Sequence, residues 1–183
     1  NEDGTIDKQN YYLLSRDVDM SGYTLPPIGT TANPFLGNFN GGGHSISNLT
    51  VSNSFSDYAQ SPSSISEISD VAVVGFFGVV GKLPNQNVTY SSSANSLSGF
   101  TLNNLTVKSA TSQTLIGLAA GYANGALSGI GISGSANLQI NGSSPAALTS
   151  ISGVSKLTDY GLVGYTTNAG GTSSFSQILS EYY

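Results

Sequence analysis

His44 is the single histidine of the chain, so any catalytic triad would have to be built on it, and a histidine cluster for a metal is excluded. There is no cysteine, which removes thiol catalysis, iron–sulfur centres, cysteine-ligated zinc and disulfide scaffolds. No serine stands in the G-x-S-x-G turn that would expose it as a nucleophile. His44 follows three glycines, Gly41, Gly42 and Gly43, a context that predicts a structural ring whose nitrogen holds a corner carbonyl or hydroxyl. Those glycines form neither G-x-G-x-x-G nor G-x-x-x-x-G-K, and no strand and amphipathic helix frame them, so they do not read as a phosphate cradle. They predict a tight corner with close backbone approach.

A glycosidase or lyase needs converging carboxylates, or carboxylates with calcium and a basic partner. Of the acids here only Asp17 and Asp19 form an i, i+2 pair that one strand face would share, and their expected work is to stabilise a turn or protect a strand edge. Asp3, Gly4 and Asp7 in NEDGTID hint at Ca²⁺, but the spacing is not that of an EF-hand. No cofactor is expected, with Ca²⁺ kept as the alternative. Four N-x-S/T triplets begin at Asn48, Asn87, Asn104 and Asn141 and are formal glycosylation acceptors in a eukaryotic secretory pathway. Asn48 and Asn104 fall in a repeated strand phrase, which predicts stacking in an asparagine ladder.

The elements that must hold these residues are β-strands with a neutral polar coat. Charged residues are 8 % of the chain where an ordinary domain carries about a quarter, while hydrophobic residues reach 38 % and glycine numbers 23. The five bases, Lys8, Arg16, Lys82, Lys108 and Lys156, are scattered and the net charge is −5. No basic stripe exists to displace counterions from a nucleic acid. The longest apolar stretch, VAVVGFFGVVGKL at 71–83, is too short to span a membrane and is punctuated by glycine, so it predicts a buried strand with tight turns. The opening NEDGTIDKQNYY lacks a signal peptide's basic start and apolar run, and the first residue is not Met, which suggests a start after processing or inside a longer protein.

Along the chain, YYLLSRDVDMSG at 11–22 reads as strand, turn and short strand, and Pro26 with Pro27 marks a rim or connection. After the glycine corner, Ile46, Leu49 and Val51 are expected to point inward. Residues 53–70 and 84–98 read as surface excursions, with a short helix over Ser63 to Asp70 as an alternative for part of the first. ISNLTV at 46–51 recurs as LNNLTV at 102–107, with LSGIGI at 127–132 as a weaker relative. GFFG at 75–78 is echoed by GLAAG at 117–121 and GLVG at 161–164. One repeat cannot bury its own inward face, but stacked repeats can. The pattern predicts an all-β chain: a single module over 1–183, wound as a short right-handed parallel β-helix with irregular loop insertions, one coil being about the interval from LTV at 105–107 to IGI at 130–132. A β-sandwich is the alternative.

PFLGNFNGGGHSISNLTV resembles the bacterial segment P-F-x-G-x-F-D-G-N-G-H-x-I-x-N-L-T-V, and YYLLSRDVDMSG with LPPIG resembles the stretch before it. GLVG and GFFG resemble the GLUG motif of bacterial secreted and surface-anchored proteins, including regions outside the catalytic domain of immunoglobulin-A-cleaving peptidases. Asn40 replaces the usual Asp and Gly42 the usual Asn, both still turn formers. The resemblance implies an extracellular β-helical module with structural motif residues. The expected function is therefore non-catalytic: structural display or adhesion at the cell surface or in the extracellular space, touching other domains of a longer chain and proteins or neutral glycans. A self-assembling subunit of a fibre, pilus or decoration is the alternative, with FSQILSEYY capping the last coil or continuing into a neighbour. A carbohydrate-active β-helix ranks third.

Overall fold

The structure, a computed structural model, describes residues 5–6, 10–54, 72–82, 89–90, 95–110, 114–140 and 163–166. The strands are β1 (Thr5–Ile6), β2 (Tyr11–Leu13), β3 (Val18–Asp19), β4 (Thr24–Leu25), β5 (Asn38–Asn40), β6 (Ser45–Ser47), β7 (Thr50–Ser52), β8 (Ala72–Val74), β9 (Phe77–Val80), β10 (Thr89–Tyr90), β11 (Ser96–Ser109), β12 (Thr114–Ile116), β13 (Ala120–Ala123), β14 (Ala126–Ile140) and β15 (Val163–Thr166). Among the described residues there is no helix, and every strand pairing is parallel. The fold is all-β.

Parallel neighbours require the chain to leave a strand and return in the same direction, and it does so repeatedly. In a first pass β2, β3 and β4 lie beside β5, β6 and β7, and the pass continues to Ile28 and Phe35, which bridge Phe77 and Val80. In the second pass β5, β6 and β7 pair with successive parts of β11, and β8 and β9 pair with β12 and β13. The third pass is β11, β12 and β13; β11 pairs with β14 and β13 with β15, the described strands of the fourth.

The repeated phrases meet their own copies. Ile46 pairs with Leu102 and Val51 with Val107, so ISNLTV lies on LNNLTV. Phe77 pairs with Ala120, and Ala120 with Val163, which aligns GFFG with LAAG at 118–121 and with GLVG. One expected alignment is corrected: LSGIGI does not lie on LNNLTV. Leu127 pairs with Leu97, Phe100 with Ile130 and Leu102 with Ile132, so one pass here is longer than the interval from LTV to IGI. The true copy of LSGI is LSGF at 97–100. A second correction concerns 84–98, since Ser96–Ser98 open β11 and Leu97 is fully buried. Residues 55–71, 83–88 and 91–94, with the helix alternative at 63–70, lie outside the described residues, as does the terminal FSQILSEYY.

The long strands β11 and β14 are short strands joined at left-handed residues. Gly99 (φ 64°) and Asn104 (φ 53°) interrupt β11, and Gly129 (φ 57°) and Gly134 (φ 64°) interrupt β14. Each interruption resets the two-residue alternation, so Leu97, then Phe100 and Leu102, then Leu105 and Val107 all turn inward and are buried. Across the passes Phe35, Phe39, Phe76, Phe77 and Phe100 form one aromatic cluster, with adjacent ring centroids from 4.9 Å (Phe76–Phe77) to 6.3 Å (Phe39–Phe76). Val73, Val74, Val79 and Val80 from the apolar stretch are fully buried, as its sequence predicts.

Candidate functional site

The residues singled out for chemistry gather at two corners of the passes. At the first, Gly41–Gly43 carry the chain from β5 to β6. The Gly41 N–H donates to Ser98 O at 2.7 Å, and an added Cβ there would run into Phe100 and the Gly99 carbonyl, so this glycine is required by close approach. Gly42 (φ 61°) and Gly43 (φ 81°) are required by their left-handed backbone. The Gly43 N–H donates to Gly99 O at 2.7 Å, and the Gly42 N–H donates to the Asn40 side chain at 2.8 Å. Asn40 thus performs the acceptor work open to either Asn or Asp.

His44 is half-buried beside this corner, and its Nδ1 lies 3.5 Å from Asp17 Oδ1. The partner is a carboxylate rather than the carbonyl or hydroxyl expected. The same Asp17 oxygen accepts the Ser45 N–H at 2.7 Å, tying the first pass to the second. Hydrogen bonds from Ser45 chiefly hold the Asp17 carboxyl below its ordinary value, with the nearby His44 adding less and partial desolvation opposing.

At the second corner Asn48 (φ 58°) and Asn104 (φ 53°) are the two left-handed non-glycine residues among those described. Their side chains stack as the sequence predicts. The Ser135 N–H donates to Asn104 Oδ1 at 3.0 Å, Asn104 Nδ2 to Asn48 Oδ1 at 3.2 Å, and Asn48 Nδ2 to Asp19 Oδ1 at 2.9 Å. Asp19 Oδ1 also receives the Ser21 N–H at 3.0 Å and hydroxyl at 2.7 Å, and the Ser21 side chain, then Asn48, then the Ser21 main chain lower its pKa. Asp17 and Asp19 therefore do not form a joint acidic site; each serves a separate corner. Opposite Asn104 the pairing slips, the two residues Gly134 and Ser135 facing one, and a side chain at Gly134 would collide with Asn103 and Asn104, so the extra position is held by glycine.

Sequence reasoning passed over Gly99, Gly129, Gly134 and Ser135. The recurrence of LSGF and LSGI was the available signal for the first two. A further link at 53 and 109–110, where Asn53 accepts the Ala110 N–H at 2.8 Å and donates to Ser109 at 3.3 Å, carried no recurring phrase. Among the described residues no three metal-ligating side chains converge, and no helix is long and apolar enough to cross a membrane. What the arrangement does chemically is satisfy backbone donors at sharp corners and link each pass to the one before. No family model matches the chain, and neither a curated protein nor a solved structure matches it.

Proposed function

We propose that this chain is a non-catalytic structural and adhesion module of an extracellular or cell-surface protein, wound as a short right-handed β-helix. The observation that carries the reading is the parallel register in which each pass pairs with the next at corresponding positions, with its glycine and asparagine corners in line. Such stacking makes a rod whose length grows with the number of coils, suited to holding other domains of a longer chain away from a surface. The 8 % charged content leaves serine, threonine and asparagine to meet proteins or neutral glycans through hydrogen bonds. The residues offered as structural, Gly41, Gly42, Gly43, His44, Asn48, Asn104, Asp17 and Asp19, all spend their polar or conformational capacity on the corners. The resemblance of residues 11–51 to the GLUG-associated bacterial segment supports the extracellular setting.

The test has two parts. Beads coated with the 183-residue chain are scored for adhesion to cells and to neutral glycan arrays, and the same chain is assayed against soluble polysaccharides for new reducing or unsaturated ends. Adhesion without cleavage is expected. Cleavage that survives repurification would replace this reading with a carbohydrate-active one, and absence of any adhesion would remove the adhesive half of it.

A further inference from the structure

Asn40 and Gly41 form an Asn–Gly pair, as do the residues at 124–125 and 141–142. In such a pair the main-chain nitrogen can attack the side chain before it, because glycine leaves that nitrogen unhindered. The Gly41 nitrogen bonds to Asn40 Cγ and gives up its proton, the Cγ–Nδ2 bond breaks, and ammonia leaves. Water then opens the resulting five-membered imide at one carbonyl or the other. One opening gives aspartate; the other gives isoaspartate, in which the main chain runs through the former side chain. The chain and solvent water are the only reactants.

At Asn40 the fold opposes that attack. Asn40 is the last residue of β5, and closing the ring requires the Asn40–Gly41 peptide plane to turn out of the extended range so that its nitrogen faces Cγ. The plane is held from both sides. Its carbonyl accepts the Leu14 N–H of the first pass at 2.9 Å, and its N–H donates to Ser98 O of the third pass at 2.7 Å. Turning it breaks both bonds, and the imide nitrogen, which carries no hydrogen, cannot remake the second. The carboxamide is held as well, its Oδ1 accepting the Gly42 N–H at 2.8 Å. Asn40 itself is exposed, so geometry rather than lack of water restrains the reaction.

We propose that Asn40 is a self-modification site gated by separation of the passes: it deamidates when β5 parts from β2 and β11, and the isoaspartate product keeps them from closing as before. The two products differ in consequence. Aspartate leaves the main chain unchanged and keeps an oxygen for the Gly42 N–H. Isoaspartate adds one main-chain carbon between Phe39, whose ring centroid lies 5.3 Å from that of Phe100, and Gly41. The ring packing and the bond to Ser98 then no longer fit together. Openings of this corner are thus recorded as a permanent covalent change. The inference rests on the pairing of β5 with its two neighbours and is independent of the adhesive reading.

The experiment ages the 183-residue chain at mildly alkaline pH, in buffer and in urea below and above its unfolding midpoint. Peptide mapping by mass spectrometry follows Asn40 apart from the pairs at 124 and 141, and electron-transfer fragmentation tells isoaspartate from aspartate. The folded chain is expected to lose the Asn40 amide about tenfold more slowly than the unfolded chain, or slower still, tenfold being the factor for an opening that costs about 1.4 kcal/mol. Its rate should rise with urea below the midpoint. Chains aged in urea are then refolded and sorted by product: those with isoaspartate should show a lower urea midpoint than wild type, and Asn40→Asp, the other product made directly, a midpoint close to it. A folded-state rate that matches the unfolded one or ignores urea would overturn the gate. Isoaspartate chains that regain the wild-type midpoint, or an Asn40→Asp midpoint as low as theirs, would overturn the rest.

Discussion

Asp17 and Asp19 are two residues apart and both exposed, yet each fixes a different pass-to-pass link through a single oxygen. Both carboxyls are held below their ordinary value of 3.8 in the fold. A group whose folded pKa is depressed contributes stability above its unfolded pKa and loses it as pH falls through the folded pKa. Melting temperature followed from neutral pH downward should therefore fall once pH drops below 3.8, and Asp17→Asn/Asp19→Asn should flatten that acid limb. The glycines divide by cause. Gly41→Ala is expected to cost about 1–3 kcal/mol or more because the new methyl meets Phe100 and backbone. Gly43→Ala, with open space but φ 81°, is expected to cost about 1–2 kcal/mol by urea denaturation. The triple glycine was legible as a corner because few other residues take such backbone angles. The bond from Ser45 to Asp17 was not, since nothing local in the sequence links residues 28 apart.

At the level of elements, the inward positions followed from alternation, and Ile46, Leu49 and Val51 are buried as expected. Alternation alone failed where a left-handed residue resets it, which is why LSGIGI was set against the wrong partner. Both phrases carry a left-handed residue at their third position, Gly129 in one and Asn104 in the other, but each pass has two such corners and LSGIGI lies at the first, opposite Gly99. Leu102→Ala should open a cavity in a fully buried layer and cost roughly 2–5 kcal/mol in urea midpoint experiments. The asparagine corner is dissected by two variants. Asn104→Gly keeps the left-handed backbone but loses the ladder, at about 1–3 kcal/mol. Asn104→Ala also forces a methyl-bearing residue into φ 53°, and its urea midpoint should lie below that of Asn104→Gly.

At the scale of the molecule, every strand pairing among the described residues joins segments distant in sequence, Tyr11 to Asn38 and Phe77 to Ala120 among them. Such topology pays loop closure before pairing rewards it, so folding by stopped flow is expected on a timescale of roughly milliseconds to seconds. Hydrogen exchange should rank the passes: the amides of β2 and β3, on strands with largely exposed side chains, exchange ahead of those in β9, β11 and β13, which line the core.

The hydrogen bonds of a parallel sheet lie across its strands rather than along them, and that orientation has a mechanical meaning. Tension applied across the passes loads the ladders in series, so the molecule yields by peeling one pass at a time instead of rupturing as a block. The first pass among the described residues, pinned at its two corners by exposed carboxylates, is expected to open first. It acts as a fuse: a small extension is given up at low force while the aromatic interior stays closed.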